Sequence, residues 1–461
     1  MKLPIIGNYV KILRERLSNS IGLPFQEILS QDMIEKAMKD ENIKYRKRLY
    51  DPIITLWAFI CQVLDDDKSC RKAVSRVLAF LADDQNKLPS ADTGAYCKAR
   101  KRLSQSLVIR LVKQTGQALH HKPTDESSDE HLWCNKRVFL TDGSSLSMSD
   151  TMENKQKYSQ HSNQHEYIGF PVARIVGIFC LHTGALIDAV IDSFRKQEIT
   201  LFRLLYPHLK SGDVALGDRA FGSYADICLL FQRGVDSVFR IHASRKVDFR
   251  KGKRLGRYDH IVYWSKPKAS DLSLEPELYK QLPDRMALRE IRFCIQIKGF
   301  RTQIVTLVTT LLDHETYTYQ DLAQLYGFRW QVEIDLRHLK TTMNMEFIQS
   351  KSPQMVEKEF YVHLLAYNLI RTVLWGTGIK HQVSPLRLSF RGTMQYILSF
   401  IPMLAMSEDP NTIYAKMLSA IAQEKLPDRP FRIEPRVVKR RPKAFPSMKR
   451  PRQELRQQLV A

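Results

Sequence analysis

The stretch Tyr326-Gly327-Phe328-Arg329-Trp330-Gln331-Val332-Glu333-Ile334-Asp335-Leu336-Arg337-His338-Leu339-Lys340 repeats its apolar residues at helical spacing and predicts a long helix from Tyr319 to about Met343. With Arg329 set at zero and about 100° per residue, Glu333 falls at about 40°, Lys340 at about 20° and Tyr326 at about 60°. Leu325, Val332, Leu336, Leu339 and Met343 gather between about 280° and 340°, the side a core would cover. One helix therefore presents Tyr, Arg, Glu and Lys as a stripe flanking its buried face. Gln331, Asp335 and His338 fall on the far side, with Asp335 about 200° from Glu333, and are expected to face solvent. An Arg–Glu pair four residues apart is also an ordinary surface feature worth a few tenths of a kcal/mol. The position of the stripe beside the core is what favours a site.

Outward from this helix toward the N-terminus the period changes to that of strands, and strands alternate with helices in an α/β pattern. Val138-Phe139-Leu140 is a short apolar run that ends in Thr141-Asp142-Gly143-Ser144. Ala173 to Cys180 and Ala185 to Ile191 read as a hairpin joined by Leu181-His182-Thr183-Gly184. A helix is expected over Gln197 to Leu209, a buried strand over Val214-Ala215-Leu216-Gly217 ending at Asp218, a helix from Gly222 to Gln232 and a strand from Val235 to Ile241. Residues 243–300 are basic and polar with strand-like pieces such as His260 to Trp264 and Ile291 to Ile295, which suggests a β-rich insertion. A strand returns at Thr302 to Leu312.

The chain ends read differently. Residues 1–122 are helical, with apolar cores at Ile53 to Ile60 and Val74 to Leu81 and a third helix starting near Ser90 or Asp92. That third helix carries Tyr96, Lys98, Arg100, Lys101 and Arg102, which fits a DNA-binding domain or a solvated basic face. The acidic stretch Pro123 to Glu130 reads as a linker to a central domain at 131–350. Residues 351–430 are helical again, through His363 to Ile370 and 412–424. From Glu434 to Arg456 there are nine Lys/Arg and four Pro, so 434–461 is expected to be a disordered basic tail.

At 461 residues, two or three domains are expected. With 71 Lys+Arg against 49 Asp+Glu the formal net charge is +22, and a protein so basic commonly meets a polyanion, nucleic acid first among them. The seven cysteines are scattered without a C-x-x-C pair, which argues against a zinc site or a disulfide framework and fits a reducing compartment. The N-terminus lacks the regions of a signal peptide, and no apolar run nears the roughly 20 residues of a membrane span. A soluble, cytoplasmic, nucleoid-associated protein is expected.

Two aspartates, Asp142 and Asp218, each follow an apolar strand. Carboxylates fixed by a sheet can share a hard cation such as Mg2+, yet an Asp at a strand end is commonly a turn residue. The third acid decides between these. The spacing Y-x2-R-x3-E-x6-K at Tyr326, Arg329, Glu333 and Lys340 resembles the signature of the insertion-sequence-four family of DDE transposases. Thr141-Asp142-Gly143-Ser144 and Gly217-Asp218-Arg219-Ala220-Phe221-Gly222-Ser223-Tyr224 resemble that family's two aspartate blocks. Gly169-Phe170-Pro171-Val172-Ala173-Arg174 and the His363 to Arg371 helix are also similar, so the resemblance covers about residues 50–380.

The resemblance implies an RNase H-like catalytic core interrupted by a β-rich insertion between the second Asp and the Glu. It implies catalytic, metal-holding carboxylates at Asp142, Asp218 and Glu333, with two Mg2+ ions for which Mn2+ can substitute. Tyr326, Arg329 and Lys340 would contact DNA. Cut-and-paste excision and integration are implied, on terminal inverted repeats and target DNA, by a homodimer in the DNA complex and without a membrane partner. Family members also stack a flipped base on a Trp in the insertion; Trp264 is the candidate, with a core or edge-strand packing role as the alternative. Asp150, Glu153, Asp188, Asp192 and Asp226 lack a matching helix partner and are left out of the site. A nuclease or resolvase with the same metals would not need the Tyr-Arg-Lys stripe. A catalytically silent DNA-binding derivative would be expected to lose a carboxylate, and a generic basic module to lack the ordered acids.

Overall fold

Two parallel strands set the centre of the molecule. The computed structural model describes residues 2–121, 132–161, 168–268, 274–295, 303–427 and 448–460. Its strands are β1 (Val138–Met148), β2 (Val172–Cys180), β3 (Leu186–Ser193), β4 (Val214–Gly217), β5 (Asp236–Arg240), β6 (Lys253–Gly256), β7 (Asp259–Ser265), β8 (Arg285–Ile295), β9 (Gln303–Thr309) and β10 (Phe347–Ile348). They form one sheet in the order β3-β2-β1-β4-β5-β9-β8-β7-β6, with β10 pairing β1 in parallel. β1, β4 and β5 run parallel, while β2 is antiparallel to both β1 and β3. Val-Ala-Leu-Gly in β4 is buried along its whole length, as a central parallel strand covered on both faces must be. Successive residues point to opposite faces: Val138, Leu140, Val214 and Leu216 enter one core and Phe139 and Ala215 the other.

β1 is longer than the expected run, because it pairs with β2 through Ser147. Asp142 therefore sits inside a strand rather than at its end. Its pairing with β4 does stop early, at Leu140↔Leu216. Asp142 lies two residues beyond the last paired position in β1, and Asp218 two residues beyond it in the other chain segment, just past the end of β4.

The helices are α1 (Lys2–Leu17), α2 (Gln31–Asp40), α3 (Pro52–Leu64), α4 (Cys70–Ala79), α5 (Gly94–Arg102), α6 (Gln105–His120), α7 (Met152–Lys157), α8 (Glu198–Arg203), α9 (Tyr224–Gln232), α10 (Pro276–Lys280), α11 (Tyr319–Gly327), α12 (Trp330–Arg337), α13 (Pro353–His381), α14 (Phe390–Met406), α15 (Pro410–Ile421) and α16 (Arg452–Val460). α13 packs on α3, α6, α14 and α15, and α6 lies on β3. One apolar core runs from Tyr9 to Ile421, so the helical regions expected at 1–122 and 351–430 bury their faces together. Among the described residues no helix is long and apolar enough to cross a membrane. Pro123 to Glu130 lies outside the described residues, as does the tail from Glu434 to Ser447. Arg452–Val460 is helical where disorder was expected.

Residues 243–300 contribute β6, β7, β8 and the short α10, and these extend the main sheet through β9. Arg289 clamps Asp259 across β7 and β8 through two bonds, Nε to Oδ1 at 2.8 Å and Nη2 to Oδ2 at 2.6 Å. The expected single helix from Tyr319 to Met343 is broken instead. Gln331 and Val332 donate to the carbonyls three residues back, a tightened turn between α11 and α12. His338–Thr342 then opens into a π turn in which Met343 donates to the His338 carbonyl at 2.8 Å. Both departures change the advance per residue, so a constant 100° step cannot hold along this segment.

Candidate active site

α12 packs against β1 and brings Glu333 over the strand that carries Asp142. Asp142, Gly143, Ser144, Glu333, Leu336, Arg337, Lys340, Thr341 and Glu346 line one open cleft of about 280 Å³. Asp142 accepts from the Gly143 N–H at 2.8 Å through Oδ1. Its carboxyl is pushed up to about 7, chiefly by burial and further by Asp218 and Glu333, against the Gly143 N–H and Arg329. Asp218 caps its own turn, accepting from the Ala220 N–H at 2.7 Å. Its field nonetheless reaches Asp142, Glu198 and Tyr326. The three acids that the sequence singled out thus converge electrostatically at the ends of β1–β4 pairing.

The polar stripe converges with them. Arg329 Nη2 donates to Glu333 Oε1 at 2.6 Å, with the Arg329 side chain 16% and the Glu333 side chain 40% exposed. The Arg329 guanidinium lies 5.8 Å from the centroid of the Tyr326 ring. Tyr326 is buried, and its hydroxyl is pushed up by that burial, with Arg329 and Arg240 opposing. Lys340 lines the same cleft from the π turn. Among the described residues no three His, Cys, Asp or Glu side chains are grouped closely enough to hold one ion between them. Glu333 is turned to Arg329 in this arrangement.

Asp335 contradicts the sequence reading. It is fully buried rather than facing solvent, and its carboxylate accepts from Arg371 and, at 3.1 Å, from Gln331 Nε2. His338 stacks on Phe390 at 4.3 Å, so it too is covered. The cause is tertiary: α13 and α14 lie over the face that the helical phase assigned to water. Arg371 Nε in turn donates to the Tyr367 hydroxyl at 2.9 Å, and that hydroxyl donates to the Gly184 carbonyl at 2.9 Å.

Two other expectations change. Arg100 of the basic helix is buried, with its guanidinium 4.0 Å over Phe59 and 3.5 Å from Glu359, and Tyr96 is fully buried. Lys98, Lys101 and Arg102 remain exposed. Trp264 is 5% exposed, covered by Arg245 at 3.6 Å and pinned by its Nε1 donating to Glu290 Oε1 at 2.7 Å. As it stands the indole has no open face for a base. Asp226 holds Arg203 and Tyr206 in the buried interior.

Sequence reading missed two features. Lys44-Tyr45-Arg46-Lys47-Arg48 is an exposed extended segment beside Arg102, and four basic residues in five were signal enough to find it. Glu198, the first residue of α8, reaches the backbone at Gly143. No local spacing relates position 198 to position 142, so only the folded sheet reveals that contact.

Residues 133–369 match the model of the family described as Transposase DDE domain. Over 429 residues the chain is 24% identical to the transposase InsG for insertion sequence element IS4 of Escherichia coli (strain K12), covering 91% of this chain and 92% of that one. The piggyBac transposase, in its synaptic complex with hairpin DNA, aligns over 89% of this chain and 86% of that one at 11% identity and a TM-score of 0.46. That last likeness is too slight to carry an argument.

Proposed function

The chain belongs to the DDE-domain transposases of the insertion-sequence-four family and is a DNA transposase, and from that premise we propose that Asp142, Asp218 and Glu333 are its catalytic carboxylates. The observation that carries this reading is the pairing of β1 with β4, which runs to Leu140↔Leu216, two residues short of each aspartate, together with the cleft that Asp142 and Glu333 line. The strand order β3-β2-β1-β4-β5 with three parallel strands supports an RNase H-like core, in which residues 243–300 are the insertion.

The donor set suits a hard divalent cation, being all carboxylate oxygen. The Asp142 carboxyl is raised by burial and by two neighbouring acids, against Arg329, and a cation beside it would favour its charged form. Asp142, Asp218 and Glu333 would hold the ions, Glu333 once it turns from Arg329. Two Mg2+ ions, for which Mn2+ substitutes, would activate the attacking oxygen and stabilise the leaving one. Arg329 and Lys340 offer positive charge to phosphate oxygens, Arg329 in a bidentate fork. The half-buried Arg329 is also the partner that frees or holds Glu333. Tyr326, packed against Arg329, would donate its hydroxyl to the DNA strand.

The reaction would be cut-and-paste excision and integration at terminal inverted repeats, with a homodimer holding two transposon ends and the target DNA. All three acids are present, which favours this over a silent DNA-binding derivative. End cleavage of DNA carrying the element's own terminal repeat is expected with Mg2+ or Mn2+ and is expected to stop in EDTA. Robust cleavage in chelator would overturn the assignment of the three carboxylates.

A further inference from the structure

Glu198 opens α8, and its side chain lies against the backbone of the cleft. A methyl group placed on Gly143 would overlap the Glu198 Cδ and come within 2.7 Å of Oε1. The carboxylate therefore rests on the residue that follows Asp142, in space that only a glycine leaves open. Arg174 holds it there, with Nε 3.8 Å from Oε1. The same guanidinium lies 4.5 Å over Phe194 and donates from Nη1 to the Lys196 carbonyl at 2.5 Å. Arg174 closes the segment Gly169 to Arg174. Its fixed position gives it a task. Asp218 also faces Glu198 closely enough to push its carboxyl up, after burial and against Arg174.

Beside the cleft that Asp142, Glu333 and Glu346 line, Gly143 thus has a further acid, Glu198, against it. We propose that Glu198 is a positioning residue of the cleavage site, whose carboxylate accepts hydrogen bonds from the hydration shell of a divalent cation held by Asp142 and Asp218. This rests on the reading of those two aspartates as ligands. A carboxylate just outside the ligand set orients bound water without displacing it, and loss of such a partner commonly costs about 10–100-fold in metal affinity or activity. Gly143 belongs to the same device, since any side chain there drives Glu198 away. Arg174 pairs with Oε1, the carboxylate oxygen that lies nearest Gly143.

The test is Mn2+ binding to the full-length protein without DNA, followed by electron paramagnetic resonance, together with the Mg2+ midpoint for end cleavage. Glu198→Gln keeps the shape of the side chain, and it is expected to weaken Mn2+ binding about tenfold and to raise the Mg2+ midpoint by a similar factor. Gly143→Ala is expected to do the same, and the double variant to bind no more weakly than either. Wild-type Mn2+ affinity in Glu198→Gln would overturn the inference. So would a lowered melting temperature with unchanged affinity, because Glu198 would then be only a structural partner of Arg174. Asp142→Asn separates the two readings. If it loses Mn2+ while Glu198→Gln does not, only this inference falls; if it too binds normally, the ligand assignment has failed first.

Discussion

Asp335→Asn and Glu333→Gln are the same chemical change two residues apart on α12, and the structure assigns them opposite consequences. The Asp335 side chain is 0% and that of Arg371 4% exposed. Burial pushes the Asp335 carboxyl up, and Arg371, whose guanidinium does not deprotonate, opposes it. Removing one charge strands the other in the core. Breaking a buried pair costs about 3–5 kcal/mol, and an amide oxygen that still accepts from Arg371 puts Asp335→Asn near the low end, at about 3 kcal/mol. That is a large share of the roughly 5–15 kcal/mol by which proteins are stable. The loss should appear as an earlier urea transition, with DNA cleavage reduced because the α12–α13 contact that seats Glu333 is loosened. The Glu333–Arg329 pair is partly solvated, and exposed pairs are worth about 0–1 kcal/mol. Glu333→Gln should accordingly unfold within about 1 kcal/mol of the parent, still bind transposon-end DNA and fail to cleave it. Urea unfolding, gel binding and end cleavage on both variants decide the matter. An Asp335→Asn protein that unfolds with the parent would refute the account of the buried pair.

Without divalent cation, Asp142 should destabilise the protein at neutral pH. Its folded carboxyl sits at about 7 against an ordinary 3.8, so the folded state holds the proton more tightly and its stability falls as pH rises from about 4 through about 7. In EDTA the melting temperature of the parent should drop more between pH 5 and pH 8 than that of Asp142→Asn; parallel curves would contradict this. The exposed segment Lys44 to Arg48 should contact DNA phosphates. Replacing Lys44, Arg46, Lys47 and Arg48 by Gln is expected to flatten the dependence of log affinity on log salt by about 0.9 for each phosphate left unneutralised, and an unchanged slope would remove the segment from the interface. Deleting residues 434–461 should likewise lower both affinity and slope, and an unchanged pair of values would leave the tail without a DNA role.

How far the site could be read in the sequence depended on which interactions were local. The four-residue spacing from Arg329 to Glu333 is a property of one helical turn, and it survived both the tightened turn before α12 and the π turn after it. The apolar side was legible for the same reason: Leu325, Val332, Leu336, Leu339 and Met343 are all buried. The opposite face was not, because helical phase tells which residues share a side but not whether a second layer covers that side. Here α13 and α14 do, and they bring Arg371 to Asp335 and Phe390 to His338 from more than thirty residues away. A charged residue on a helix with two apolar coverings must find a buried partner, so the Asp335–Arg371 pair is the mark of a helix held from both sides. Glu198 was hidden for a related reason. Its contact with Gly143 exists only because β2 carries Arg174 beside β1 and the chain then returns through β3 to α8. The acids that repeat a family spacing were visible one by one; the acid that depends on strand order becomes visible only when the sheet is assembled.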